Sequence, residues 1–268
     1  MSAARAWRAL MAVARREIVR FSQQRARLLS AVVRPSLWLL VFAPGFAGLA
    51  AVSSGPPYQG VALTYQAYIV PGLLGMVLLF NGMQSSLSMV YDREMGIMRL
   101  LLTAPLPRWY LLLCKLAAGT LLSVLQAYAF LIVCWLAGVG LPWVGWLSVL
   151  PALLLGGLML GAMGLLLSVY VRQLENFAGA MNFVIFPMFF LSTALYPLAV
   201  KTAHHASVIA WLARINPFEY AVTLIRFALY GQVDGPAALA VAGCLAVFFA
   251  LAVLGYDPQR GMVRRIRR

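Results

Sequence analysis

Long apolar runs alternate with short charged segments along the whole chain. A transmembrane helix needs about 20 mainly apolar residues to cross roughly 30 Å of hydrocarbon. Six runs meet this length: 28–51, 67–90, 109–138, 144–170, 176–196 and 237–256. The first run contains Arg34-Pro35, and we expect its helix to start at Pro35 with Arg34 reaching the headgroups. The pattern predicts an all-α membrane protein with six transmembrane helices, a six-span domain over residues 28–256.

A short charged segment, residues 92–103, separates the second and third runs. Its apolar positions recur at i, i+3, i+6 and i+7, as on one face of a helix: Met95, Met98, Leu101 and Leu102. Asp92, Arg93 and Arg99 can face water, and Pro105 ends the segment. The pattern predicts a helix of about three turns at the membrane surface that can carry force from a soluble partner. The alternative is a solvated loop.

The N-terminal stretch, residues 1–27, is also amphipathic. One side is apolar, with Trp7, Leu10, Met11, Ala14, Ile18 and Phe21. The opposite side carries Arg5, Arg8, Arg15, Arg16 and Arg20. This pattern predicts an interfacial helix whose cations face anionic lipid headgroups. The alternative is an Arg-rich retention signal without fixed structure.

The residues between the fifth and sixth runs, 197–236, are too apolar for an aqueous loop and too short to cross the membrane. Asn216, Pro217 and Glu219 stand at the N-cap, N1 and N3 positions of a capping box, and Gly231 can end that helix. We therefore predict a re-entrant or interfacial helical pair, with residues 206–215 as its first member. Glu219 and Arg226 are seven residues apart and share a face, so we expect them to shape an outer gate.

Composition supports a membrane protein, because 63% of the residues are hydrophobic and only 10% are charged. The formal charge of +14 does not indicate nucleic acid, since the arginines flank apolar runs. Eighteen Lys and Arg residues fall on one side of the predicted spans and three on the other. By the positive-inside rule both termini, including the basic tail 257–268, are cytoplasmic, as is segment 92–103. No signal peptide is expected, because the N-terminus lacks a compact apolar core.

Catalytic and metal-binding patterns are not found. There is no G-x-x-x-x-G-K-[ST] phosphate loop, and Lys115 and Lys201 are the only lysines. His204-His205 lacks neighbouring ligands, and the three cysteines lie within apolar runs. We expect no enzymatic activity, no metal and no cofactor in this chain.

Uncharged polar residues within the runs are candidates for a translocation path: Asn81, Gln84, Ser85, Ser123, Gln126 and Asn182. Hydrogen bonding that only packs the helices explains them equally well. Gly157, Gly161 and Gly164 form a small-residue face that predicts close helix packing.

Two motifs carry a resemblance to a known family. D-R-E-M-G-I-M-R-L-L-L-T-A-P-L-P follows the second run, and N-P-F-x-Y-x-V-x-x-x-R-x-x-L-Y-G precedes the sixth. Together with the Arg-rich N-terminus, the six spans and Lys115, they resemble the ABC-2 class of ATP-binding-cassette permeases, of the nodulation-factor and daunorubicin exporter type. The chain is also similar to permeases encoded beside quinoprotein alcohol dehydrogenases. The resemblance covers essentially the whole chain.

The resemblance implies a type V exporter-like fold and a homodimer in the inner membrane. Two copies of a separate ABC ATPase subunit would bind ATP and Mg, and the cargo would be a lipid-like, glycolipid or hydrophobic small molecule. Segment 92–103 would be the coupling helix, with Asp92, Arg93, Glu94, Met95, Gly96, Met98, Arg99 and Leu101 as coupling residues. The re-entrant helix would contribute the gate residues Asn216, Pro217, Glu219 and Arg226.

Two other classes of protein stay open. A secondary transporter is disfavoured, because no charged residue lies deep in a span and no inverted repeat is visible. A membrane assembly or scaffold subunit that transports nothing is not excluded by apolar spans. The presence or absence of a bound ATPase separates these classes from a permease.

Overall fold

The computed structural model describes residues 25–45, 57–58, 63–95, 107–171, 173–195 and 206–256, together with residues 11, 12, 15, 16 and 19. This part of the chain is helical and contains no strand. Helix α1 covers Arg25–Leu37 and continues as a π-helix over Trp38–Phe42 and a last turn at Ala43–Gly45. The helices that follow are α2 (Tyr65–Glu94), α3 (Arg108–Leu136), α4 (Val144–Tyr170), α5 (Leu174–Phe190), α6 (Ala206–Ile215), α7 (Pro217–Leu229) and α8 (Gly235–Gly255).

Four of these helices, α2, α3, α4 and α8, are long and apolar enough to cross a membrane. They coincide with four of the six predicted spans. The other two predicted spans coincide with shorter apolar helices, Ala31–Gly45 and Leu174–Phe190. The first predicted span also extends into residues 46–51, which lie outside the described part. The all-helical membrane character is confirmed, and a count of six spans stays a prediction.

The first helix differs from the prediction, because α1 begins at Arg25 and not at Pro35. Pro35 has no N–H to donate within the helix. The helix nevertheless continues through it, and the Ser36 hydroxyl donates to the carbonyl of Val32 at 2.7 Å. The guanidinium of Arg34 lies 3.9 Å from the centre of the Phe80 ring on α2. This cation–π contact stabilises α1 against α2.

Glycines bring α2, α3 and α4 into close contact at the centre of the bundle. A methyl group added to Gly82 of α2 would lie 3.0 Å from the Cα of Gly161 on α4. One added to Gly157 would lie 2.9 Å from the Cγ2 of Thr120 on α3. The predicted small-residue face of α4 is therefore confirmed as a packing surface.

The bundle has two ends that carry most of the buried charge. The end of α2 lies with the start of α3, the end of α4 and the start of α5, and we name it the Asp92 end. The start of α2 lies with the end of α5, with α7 and with the start of α4, and we name it the Arg226 end. Helices α6 and α7 have the bounds expected for the predicted helical pair.

Candidate functional site

Asp92, in the last turn of α2, is completely buried. Its Oδ2 accepts a 2.7 Å hydrogen bond from Nζ of Lys115 on α3 and another 2.7 Å bond from Nη2 of Arg16. The expectation that Asp92 faces water is therefore wrong, and Arg16 bonds a protein carboxylate where a lipid headgroup was expected. A buried carboxylate is tolerated here because two cations replace the water that it loses.

The next two residues of α2 hold two further helices. Nη1 of Arg93 donates to the carbonyl oxygen of Ser168, near the end of α4, at 3.1 Å. Oε1 of Glu94 accepts a 2.9 Å bond from the backbone N–H of Leu174, the first residue of α5. Glu94 thereby satisfies one of the N–H groups that a helix start leaves free.

The predicted coupling segment is described only as far as Met95. Asp92, Arg93 and Glu94 form the last turn of α2, and Met95 is its C-cap. Met95 is 61% exposed. The predicted start of a separate helix at Asp92 is therefore wrong, because these residues continue α2. Gly96, Met98, Arg99 and Leu101 lie outside the described residues, so a helix over the rest of the segment stays a prediction.

At the Arg226 end, the start of α7 is formed largely as predicted. Oδ1 of Asn216 accepts a 3.0 Å bond from the N–H of Phe218, Pro217 is the first helical residue, and Gly231 follows the helix with φ +69°. The predicted reciprocal bond of a capping box is wrong for Glu219. Its carboxylate instead accepts from both the backbone N–H and the hydroxyl of Thr193, each at 2.6 Å.

Thr193, on the turn after α5, is held from its other side by Arg226 of α7. The guanidinium donates to the Thr193 carbonyl at 2.9 Å and to its Oγ1 at 3.1 Å. Arg226 is only 9% exposed, and its Nη2 also lies 3.4 Å from the hydroxyl of Tyr68. Glu219 and Arg226 thus share a face of α7, as predicted. Both bind Thr193, which the sequence analysis did not predict as a site residue. We call Glu219, Thr193 and Arg226 the Thr193 clamp.

Tyrosines from α2 complete the contacts around this turn. The hydroxyl of Tyr68 donates to the Thr193 carbonyl at 3.1 Å, and that of Tyr65 donates to the Leu195 carbonyl at 2.7 Å. A methyl group added to Gly72 would lie 2.3 Å from the carbonyl oxygen of Ala194, so α2 packs directly on the turn backbone. Burial raises the pKa of Tyr58, whose ring packs edge-on against Tyr230 at 5.1 Å.

The predicted path residues do not share one environment. Asn81, Ser123 and Gln126 are buried, Gln84 and Ser85 are half-buried, and Asn182 is exposed on α5. Ser123 donates to the Gly119 carbonyl of its own helix, whereas the Gln126 side-chain amide has no hydrogen-bond partner. A cavity of about 10 Å³, the size of one water, adjoins Lys115, Ser85, Ser86 and Thr120. The six residues thus differ in burial, and this cavity adjoins only Ser85 among them.

A metal centre is not found in the described part of the chain, where no three His, Cys, Asp or Glu side chains come together. The charged side chains of Asp92, Arg93, Glu94, Glu219 and Arg226 instead bond to other elements of the bundle. The site is thus defined by two clusters that join helices, one at each end of an apolar bundle.

These features define the class of an all-helical membrane protein, and sequence comparison shows its family. The sequence profile of the family described as "ABC-2 type transporter" matches residues 8–230, which include Asp92 with its bonded partners and the Thr193 clamp. The chain belongs to this family. Membrane subunits of the family typically pair with an ABC ATPase and are generally not themselves catalytic.

Proteins of similar sequence carry transport names. The chain is 27% identical over 225 residues to "Putative transport permease ycf38" of Cyanophora paradoxa, which covers 81% of this chain and 73% of the relative. It is 26% identical over 215 residues to the protein of the same name from Porphyra purpurea, covering 78% and 69%. A third such protein, from Pyropia yezoensis, is 25% identical over 240 residues, covering 84% and 75%. The chain is thus a transport permease of the membrane.

Proposed function

We propose that this chain is the permease subunit of an ATP-driven exporter that works as a homodimer with two copies of a separate ATPase subunit. The observation that carries the proposal is the end of α2. An exposed apolar side chain, Met95, follows directly on three charged residues that are bonded to the surrounding helices. A partner that binds Met95 therefore contacts the turn of α2 that is bonded to α3, α4 and α5.

Docking of the ATPase is assigned to segment 92–103. Met95 is 61% exposed, and Met98 and Leu101 continue its helical spacing. Together they would enter an apolar groove on the ATPase, with Arg99 at the rim. Gly96 would allow the two backbones to approach closely. ATP and Mg would be bound by the partner, since this sequence has no phosphate loop.

The direction of transport follows from the orientation that we assign to the two ends. The positive-inside rule places the Asp92 end in the cytoplasm and the Arg226 end outside, in an inner membrane with both termini cytoplasmic. The Thr193 clamp then lies at the exit, where Asn216, Glu219 and Arg226 hold α7 against α5 and the turn that follows it. Pro217 begins α7 at this point. Opening of this clamp would release cargo outward.

The cargo and the dimer are inferred from the surface of α5. Phe183 and Phe186 are 80% and 49% exposed, and Asn182 is exposed on the same helix. An amide facing lipid lacks hydrogen-bond partners, which is costly in hydrocarbon. A second copy of the chain, or a polar part of an amphiphilic cargo, would satisfy it. We therefore favour a lipid-like, glycolipid or hydrophobic small molecule that passes between two copies.

The test is copurification of the ATPase with variants of segment 92–103. Met98→Asp would place an unpaired charge in the docking groove, which costs about 2 to 5 kcal/mol. We expect this variant to remain in the membrane and to lose the ATPase. The matched control is Met262→Asp in the basic tail, which should keep it. Retention of a coupled ATPase by Met98→Asp would contradict the docking assignment, and a wild-type chain without any ATPase would favour a scaffold role.

A further inference from the structure

Three consecutive residues, Asp92, Arg93 and Glu94, bind four different parts of the chain. Asp92 binds Lys115 of α3 and Arg16 of the N-terminal stretch, each at 2.7 Å. Arg93 binds the end of α4 at 3.1 Å, and Glu94 binds the start of α5 at 2.9 Å. Successive residues of an α-helix point about 100° apart, so one turn can reach neighbours on three sides. We name these three residues the α2 joint.

We propose that the α2 joint transmits movement and does not dock the ATPase. Asp92 is fully buried, and its carboxylate is bonded within the bundle. Arg93 and Glu94 are bonded to backbone groups of α4 and α5. They are positioning residues that act through these helices. This inference rests on the proposed function, and it removes Asp92, Arg93 and Glu94 from the predicted docking surface while leaving Met95 and the residues after it.

The contacts favour transmission because the bonds of the joint are costly to break. Rotation of the α2 end would separate Asp92 from Lys115, leaving charges with little access to water. The surrounding helices therefore follow the α2 end. Helix α2 is also continuous from Tyr65 to Glu94, and its first turns bind the turn that carries Thr193, through Tyr68 and Gly72. A displacement at the α2 joint can thus be transmitted along α2 to the Thr193 clamp.

Glu94 offers a matched pair of variants that separates transmission from docking. Glu94→Gln loses the charge but keeps a carbonyl oxygen that can accept from the N–H of Leu174, whereas Glu94→Ala loses the acceptor. A docking role that depends on the charge of Glu94 would be weakened in both variants. A positioning role would be lost only in Glu94→Ala. The contact is at the surface, so both variants should fold.

The experiment measures ATP-dependent movement at the opposite end of the molecule, so no cargo is needed. A reporter thiol replaces Val233, which is 81% exposed in the loop before α8, in a chain whose own cysteines are replaced by Ala. The complex with its ATPase is purified in nanodiscs, and thiol labelling is timed with and without ATP plus vanadate. Asp92→Asn is measured beside the Glu94 pair, and thermal unfolding reports folding.

We expect every variant to retain the ATPase. The ATP-dependent change in labelling rate should be lost in Asp92→Asn and Glu94→Ala and kept in Glu94→Gln. The inference is overturned if Glu94→Ala responds to ATP as the wild type does, or if either Glu94 variant releases the ATPase. If Asp92→Asn does not fold, the Glu94 pair decides alone. A wild-type chain that carries no ATPase would overturn the proposed function and this inference together, whereas the variant outcomes bear on the inference alone.

Discussion

Removal of the Arg226 guanidinium is the most direct perturbation of the Thr193 clamp. In Arg226→Met the carbonyl and hydroxyl of Thr193 lose donors at 2.9 and 3.1 Å, and Glu219 loses the nearby cation. Hydrogen bonds from charged groups contribute about 1.5 to 3 kcal/mol each, so two of them set an upper value of about 6 kcal/mol. The buried Arg also pays a desolvation cost that Met does not pay. We expect a net loss of about 2 to 4 kcal/mol.

The assay is thermal unfolding of the purified chain in nanodiscs. For a chain of this size each kcal/mol corresponds to roughly 2 to 4 °C, so Tm should fall by roughly 4 to 16 °C. Arg226→Lys keeps the charge but not the forked geometry, so its Tm should lie between those of the wild type and Arg226→Met. The control is Arg214→Met, at an exposed position of α6. Equal Tm values for Arg226→Met and Arg214→Met would refute the clamp.

Three further predictions concern stability. Thr193→Val should lower Tm more than Thr193→Ser, because only Ser keeps the hydroxyl that binds Glu219 and Arg226. Gly72→Ala should lower the free energy of unfolding by about 1 to 3 kcal/mol, since its methyl group would lie 2.3 Å from the Ala194 carbonyl oxygen. The control is Gly243→Ala on α8, where nothing lies within 4 Å of the added methyl group. Thermal unfolding should show this control to be neutral or slightly stabilising. Lys115→Met should lower the folded yield by size-exclusion chromatography, because it removes a cation bound to buried Asp92. A yield equal to wild type would contradict the importance of this ion pair.

Local signals made part of the structure predictable from the sequence. The bounds of α4 and α6, the N-cap at Asn216 and the end of α7 at Gly231 each depend on residues within a few positions. The close packing at Gly161 was predictable for a similar reason, since small residues three and four apart share a helix face. Apolar length and capping chemistry act over one or two turns, and the sequence shows them directly.

The two clusters were not predictable in their details, because they join distant parts of the chain. Asp92 and Arg16 are 76 residues apart, and Thr193 and Arg226 are 33 apart. From the charge pattern alone, Asp92 is predicted to face water and Glu219 to cap the start of its own helix. Tertiary packing decides otherwise, because each carboxylate finds donors on another element. The continuation of α1 through Pro35 has the same origin in contacts outside the segment, such as that of Arg34 with Phe80.

We propose that a separate ATPase, docked beside the α2 joint, drives this permease. Native mass spectrometry of the affinity-tagged chain, purified from the cells that naturally make it, tests this most directly. We expect a complex of two permease and two ATPase copies that hydrolyses ATP, and we expect Met98→Asp to remove the ATPase and leave the permease intact. A chain that purifies without any ATPase, or a Met98→Asp complex that keeps its full mass, would contradict it.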